Sequence, residues 1–282
     1  MSFDLYEKIS FKISDLITKN YSSSFSLAIK VFNAELRDGI SSIYGYVRLA
    51  DEIVDSFHGF DKRLLLNELR DDTYDAIRNN ISLNPILHSF QSTVNKYNIS
   101  IEYINNFIDS MEMDLTNTYY ERDHYDKYIY GSAEVVGLMC LKVFCYNNNE
   151  LFESLLESAK ALGSAFQKVN FLRDMKSDLN ERGRIYIPGA ASLSMISNYN
   201  KKLLENEIEK EFRVSLSGIK RLPQSSKLGV YSAYVYYYML FKKIKRMKVN
   251  ELFSKRVRIS NFTKLSLLLR SLIKIKLTKA IE

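Results

Sequence analysis

Three prolines (Pro85, Pro188 and Pro223) and ten glycines are all that punctuate this chain of 282 residues. A β-sandwich or barrel needs turn chemistry every ~8–12 residues, and the chain does not carry it. Apolar residues instead recur at helical spacing. The pattern predicts helices over 4–19, 24–36, 38–57, 62–79, 86–96, 101–118, 125–146, 149–180, 198–217, 225–248 and 261–280. Asp4 and Ser24 are expected as N-caps. Asn84-Pro85 opens one helix, Asn147-Asn148-Asn149 breaks another, and Arg182-Gly183 closes the longest. With 46% hydrophobic and 26% charged residues, the composition is globular rather than disordered. No repeat, low-complexity tract or linker divides the chain. The expectation is a single all-α domain over 1–282, its helices wrapped around one core.

The net charge of +7 is unevenly placed. Residues 241–282 carry 13 Lys/Arg against Glu251 and Glu282, a net of +11, which leaves −4 for the first 240 residues. A mildly acidic body argues against a broad nucleic-acid surface, so no nucleic-acid partner is expected. Cys140 and Cys145 are too few for a disulfide framework and lack a Cys/His set for zinc; they read as buried small hydrophobes in a reducing compartment. The first twenty residues carry acids and no continuous apolar run, so a signal peptide is not expected. No window reaches the ~18 apolar residues of a membrane span. These features place the chain in the cytoplasm.

Two stretches carry chemistry. Tyr44, Arg48, Asp51 and Asp55 fall at i, i+4, i+7 and i+11, and Gln167, Asn170, Asp174 and Asp178 at i, i+3, i+7 and i+11. Each set shares one helix face. A single Asp-x-x-x-Asp is most simply a solvated face. Two such stripes, each with an adjacent arginine and apolar flanks, are a different matter. Aspartates at i,i+4 repel one another, and a divalent cation removes the repulsion. Hard oxygen donors with open positions suit Mg²⁺ that bridges to substrate phosphates, with Mn²⁺ as an alternative ion. Arg48 and Arg173 can grip the same anion through bidentate forks. No Walker A motif, Rossmann fingerprint or kinase set is present, so metal and side chains, not a glycine-rich loop, would hold the phosphates.

These residues resemble the squalene/phytoene synthase family of head-to-head prenyl synthases, bacterial phytoene synthases in particular. The resemblance runs from about residue 15 to 270. It includes Tyr21–Phe25, Tyr44–Asp55, Tyr130–Met139, Gln167–Asp178, Arg182–Pro188 and Arg256–Ser260, in family order. It implies an isoprenoid-synthase helical bundle around a central cavity and a Mg²⁺-dependent condensation of two allylic diphosphates through a cyclopropylcarbinyl diphosphate. Asp51, Asp55, Asp174 and Asp178, with Asn170, are then the metal ligands. Ser24, Arg48, Asn170, Arg173 and Arg256 match positions that contact diphosphate, while Tyr44, Tyr130, Gln167 and Tyr237 match pocket positions near the reacting carbons. One departure concerns pocket shape: Ser132 and Glu134 replace the family's usual valine and glycine, so Glu134 either faces the cavity or the local packing differs.

Chain length of the substrate is set by features the motifs do not contain. The Tyr130–Leu141 run and the lack of the C-terminal extension of eukaryotic squalene synthases favour geranylgeranyl diphosphate and phytoene, with no NADPH. The alternative is farnesyl diphosphate, giving dehydrosqualene or, with NADPH, squalene. A non-catalytic binding or assembly module is a weaker reading because all four aspartates and both arginines are present, and a terpene cyclase of the same fold is weaker because of the second carboxylate motif and the Arg182–Pro188 segment. Helix 261–280 interleaves leucines and isoleucines with Lys264, Arg270, Lys274, Lys276 and Lys279. It is expected either to close the bundle or to make a peripheral contact with anionic lipid at the inner face of a membrane. Oligomeric state is not encoded in these features.

Overall fold

The computed structural model describes residues 3–190, 192, 195–254 and 256–279. It is a helical bundle, and among the described residues the only β-type pairing is an isolated bridge between Tyr119 and Ile185. In chain order the helices are α1 (Phe3–Tyr21), α2 (Ser23–Ile29), α3 (Ala34–Asp55), α4 (Lys62–Asn79), α5 (Pro85–Tyr97) and α6 (Ile101–Thr116). Next come α7 (Arg122–Ile129), a π-helical turn (Tyr130–Glu134), α8 (Val135–Phe144) and α9 (Asn149–Arg182). The chain continues with α10 (Asn198–Arg221), α11 (Gln224–Lys245), α12 (Val249–Ser254) and α13 (Asn261–Lys279).

Helix boundaries follow capping chemistry. Asn33, Asp61, Asn84, Ser100 and Asn148 each accept a backbone N–H with the side chain at a helix start, satisfying donors that the helix leaves open. Ser197 and Asn200 form a reciprocal capping box at α10. Gly183 closes α9 with φ +66°, a conformation open to glycine without Cβ strain.

Several expected boundaries are corrected. The stretch 24–36 is not one helix: α2 ends at Ile29, and Asn33, in extended conformation, caps α3 four residues before its expected start. Ser24 lies inside α2, whose N-cap is Ser22, accepting from the Phe25 N–H. Asp4 sits in the first turn of α1 rather than ahead of it. Helix 125–146 is interrupted by the π-turn, and α12 arises where no separate helix was expected.

The π-turn is wedged between two neighbours that approach it backbone to backbone. A Cβ on Gly131 would lie 2.3 Å from the Asn106 carbonyl oxygen of α6, and one on Gly163 of α9 would lie 2.4 Å from the Ala133 carbonyl oxygen. The close approach that the family's usual glycine would provide is here supplied from the facing helix. Glu134 does not line the cavity; among its charged neighbours are Glu211, Lys168 and Lys160. Lys168 is buried and paired with Glu207 and Glu211 at 3.1 and 2.5 Å.

The core is rich in rings. Tyr46, Phe90, Phe107, Tyr120, Tyr125, Phe212 and Phe241 are fully buried, each side chain worth about 1.5–3 kcal/mol of transfer free energy. Tyr46 stacks on Phe90 with centroids 3.9 Å apart. Helix α8 packs against both α3 and α9. The two carboxylate helices thus stand on either side of a cavity rather than against each other.

Candidate active site

That cavity has a volume of about 750 Å³. Its mouth is charged, with Arg48 and Asp51 from α3, Asn170, Arg173 and Asp174 from α9, and Arg256 from the strap between α12 and α13. Its interior is apolar: Ile29, Phe32, Leu141, Phe144, Ile219 and Val230 lie along it. Phe25 and Tyr44 stack at 5.1 Å on one wall, and Phe166 and Tyr237 at 3.9 Å on the other. Burial pushes the Tyr44 hydroxyl up to about 12 against the opposing effect of Arg48. The Tyr237 hydroxyl is raised by the same cause, opposed by Arg173.

The helix periodicity delivers the α3 stripe to the mouth. The Arg48 guanidinium lies over the Tyr21 ring at 4.4 Å, pairs with Glu52 and reaches Asp51 at 3.7 Å. Burial raises the Asp51 carboxyl to about 7, with Arg48 opposing and Asp55 adding to the rise. Asp55, one turn on, is not in the cavity wall. It is held by Arg182 Nε at 3.0 Å and Arg184 Nη1 at 2.8 Å.

On the α9 stripe both aspartates are closely paired with arginine. Asp174 accepts from Arg173 Nε at 3.0 Å and from Arg256 Nη2 at 3.2 Å, with Arg256 Nε ion-paired at 2.7 Å. Asp178 is buried and pairs with Arg182 Nη1 at 2.7 Å. Burial lifts its carboxyl to about 7, with Arg182 opposing. Arg182 therefore bridges Asp55 of α3 and Asp178 of α9. Asn170 Nδ2 approaches Gln167 Oε1 at 3.4 Å, while Asn170 Oδ1 is buried with no hydrogen-bond partner.

Of the sequence-predicted residues, Tyr44, Arg48, Asp51, Gln167, Asn170, Arg173, Asp174, Tyr237 and Arg256 meet at this cavity. Asp55 and Asp178 lie behind its mouth in ion pairs. Tyr130 is not in the wall; it neighbours Tyr103 and Lys160, while Ser132 and Ala133 of the same π-turn face the cavity. The Ser24 side chain lies outside what the structure describes. Cys145 is buried; Cys140 is in the cavity wall, its thiol pushed up to about 12 by burial.

Sequence reasoning missed the groups behind the mouth. Asp114 of α6 is 8% exposed. It accepts from the hydroxyls of Tyr120, Tyr128 and Tyr186 at 2.7, 2.7 and 2.8 Å and lies 3.5 Å from Arg184. Burial raises its carboxyl even against Arg184 and the three phenols. A signal existed: Asp114 falls seven, four and three residues after Phe107, Ser110 and Met111, on the buried face of α6.

The donors fit a divalent cation in kind: two aspartate pairs and an orphaned amide oxygen are all hard oxygen ligands. Among the described residues, though, no three His, Cys, Asp or Glu side chains converge as a ready metal cluster. Guanidinium groups stand between the carboxylates instead. A cation at either stripe would have to take over from an arginine, and that arginine would then be available to an anion.

Fold and cavity together define a helical scaffold with an arginine- and aspartate-lined mouth over an apolar chamber. The squalene/phytoene synthase family model matches residues 18–193, and the chain belongs to that family. It is 28% identical over 278 residues to phytoene synthase 1 of Zea mays, matching 88% of this chain and 64% of that protein. It is 30% identical to the phytoene synthase of an Oncidium hybrid, again over 88% and 64%. The chain thus spans just under two thirds of the length of these plant relatives. Phytoene synthase of Arthrospira platensis is 25% identical over 91% of this chain and 90% of its own. Among solved structures, a dehydrosqualene synthase superposes with a TM-score of 0.79 at 20% identity, over 97% of this chain and 99% of that one. A squalene synthase of Alicyclobacillus acidocaldarius gives 0.73 at 20%, over 86% and 95%. At that identity these two speak to the fold.

Proposed function

We propose that this protein condenses two allylic prenyl diphosphates head to head, releasing diphosphate, and that its substrate is geranylgeranyl diphosphate and its product phytoene. The observation that carries the reading is the cavity of about 750 Å³ with arginines and carboxylates at its mouth and an apolar, aromatic-walled interior. A diphosphate and a long hydrocarbon are the two halves of a ligand that such a cavity complements.

Asp51, Asp55, Asn170, Asp174 and Asp178 would hold Mg²⁺. When bound, the ion supplies positive charge to the leaving diphosphate. Arg48, Arg173 and Arg256 bind and orient the diphosphate oxygens through charge-assisted hydrogen bonds, and their fixed charge acts where negative charge grows as the C–O bond ionises. The resulting allylic cation lies between the faces of Phe25, Tyr44, Phe166 and Tyr237, each worth about 0.5–2 kcal/mol. The second substrate's double bond attacks this cation, and proton loss closes the cyclopropylcarbinyl diphosphate. With its hydroxyl raised to about 12, Tyr44 stays protonated at neutral pH. The departing diphosphate, next to the cation it has just left, is the acceptor proposed for that proton, with a pocket tyrosine as the alternative base. The apolar chamber excludes water that would otherwise quench the cation. The second diphosphate then leaves, the ring opens to a linear allylic cation, and loss of a second proton from that cation gives the neutral hydrocarbon, so no hydride donor is needed.

Incubating the protein with Mg²⁺ and either the C15 or the C20 diphosphate, each with and without NADPH, tests the reading. A C40 hydrocarbon from the C20 substrate, independent of NADPH, is expected. A C30 product alone assigns the C15 alternative, and no hydrocarbon from either overturns the activity.

A further inference from the structure

Helix α13 carries an apolar face that the bundle does not use. It packs inward on α11 through Leu267 and Ser271, both buried, and Leu267 and Leu268 line a small void together with Leu27 and Ala28 of α2 and Tyr236 of α11. On another face Phe262, Leu265, Leu269 and Ile273 step along the helix by three, four and four residues. Their exposures are 83, 50, 52 and 59%. The expectation that this helix closes the bundle is met by one face only, and the second is open.

Charge selects what covers it. The last 42 residues carry the net +11, against −4 for the rest of the chain. Arg270, beside Leu269, and Arg258, just ahead of the helix, are exposed. A second copy joined across a two-fold axis would set two such basic segments against each other, and like charges across an interface are strongly disfavoured. A bilayer with anionic headgroups complements both the apolar stripe and the basic residues around it. Among the described residues no helix is long and apolar enough to cross a membrane, so the contact is with a surface.

We propose that α13 is an interfacial helix that lies in an anionic bilayer surface, with Phe262, Leu265, Leu269 and Ile273 among the acyl chains and the exposed Arg270 on the headgroups. The contact bears on the cavity. The strap that leads into α13 is capped by Ser260, whose hydroxyl accepts the Thr263 N–H at 3.2 Å. The same strap carries Arg256, which closes on Asp174 at the cavity mouth. Docking of α13 therefore sets the mouth strap beside the lipid.

The chain contains no tryptophan, so Phe262→Trp and Leu269→Trp are single reporters of immersion. With phosphatidylcholine vesicles containing phosphatidylserine, their emission is expected to shift to the blue and to be quenched by brominated lipid. Phosphatidylcholine alone should do neither. Raising salt from about 0.1 to about 1 M, which shortens the Debye length from ~10 to ~3 Å, should reverse most of the shift. Arg270→Gln should weaken partitioning about fivefold, the loss of one basic residue at an anionic surface. Leu203→Trp, on an exposed position of α10, should stay unshifted. Circular dichroism confirms that each variant is folded. Equal shifts with neutral and anionic vesicles, no shift with either, or a shift shared by Leu203→Trp overturns the proposal. So does a shift that appears without lipid and grows with protein concentration, which assigns the face to a second copy.

Discussion

The aspartate pairs on α3 and α9 have the same i,i+4 spacing and different electrostatics. Asp51 of α3 faces the cavity with one guanidinium 3.7 Å away. Asp174 of α9 is gripped by Arg173 and Arg256, and Asp178 by Arg182. An i,i+4 pair thus tells which carboxylates share a face. It does not tell which one keeps a free lone pair toward a ligand. In the metal-free protein, α3 offers the more open carboxylate, and α9 offers carboxylates whose arginines must be displaced first.

The largest effect that separates the two is on turnover and stability together. Asp51→Asn and Asp174→Asn should each lower turnover at saturating Mg²⁺ by about 10³-fold, the scale of losing one charged group that acts on the transition state. Their stabilities should diverge. Asp51→Asn removes a partly exposed carboxylate whose nearest guanidinium is 3.7 Å away, a pairing worth little, so the metal-free protein should unfold at the same urea midpoint or a slightly higher one. Asp174→Asn leaves Arg173 and Arg256 without their carboxylate and should lower stability by about 1–2 kcal/mol, Arg256 being half exposed and counting for little. Retained turnover in either variant would sink the assignment of these residues; equal stabilities would erase the contrast between the helices.

The next effect lies behind the mouth. Arg184 is 8% exposed and contacts both Asp55 and Asp114. Arg184→Met should cost about 3–5 kcal/mol, because it leaves Asp114 buried among three phenols without a counter-charge. The double variant Arg184→Met/Asp114→Asn should recover part of that loss in urea denaturation. No recovery would mean that Arg184 acts through packing alone.

How much of this the sequence discloses depends on how local each cause is. The helices are legible because their apolar residues repeat at 3.6, and the cavity residues of α3 and α9 are legible because stripes obey the same period. The break after Ile29 is hidden because Phe32 continues the apolar repeat; only the Asn33 side chain, turned back to cap the Leu36 N–H, ends it. The π-turn is hidden because one extra residue per turn does not interrupt a run of helix-compatible residues, yet it rotates Tyr130 out of the wall. Arg182 and Arg184 stand in a recognisable motif. Their partners Asp55 and Asp114 lie more than sixty residues away in the chain, and no spacing rule joins positions that only the closed bundle brings together. The arginine shielding of the carboxylates belongs to the same class of long-range facts.

Arg182 provides the finest comparison, since it is the one side chain seen to join both stripes, at 3.0 Å to Asp55 and 2.7 Å to Asp178. It is partly exposed, so its two bonds are discounted for solvent screening to about 1–2 kcal/mol together. In a domain of this size that is a melting shift of about 2–8 °C. Arg182→Gln should show this deficit in scanning calorimetry without metal. Mg²⁺ with inorganic diphosphate should then raise the variant's melting temperature by more than it raises the wild type's, because the cation no longer has to displace a guanidinium from Asp55 and Asp178. Equal shifts in the two proteins would mean that Arg182 stays in place when the ligands bind, and that the bridge is a permanent strut between α3 and α9 rather than a stand-in for the metal.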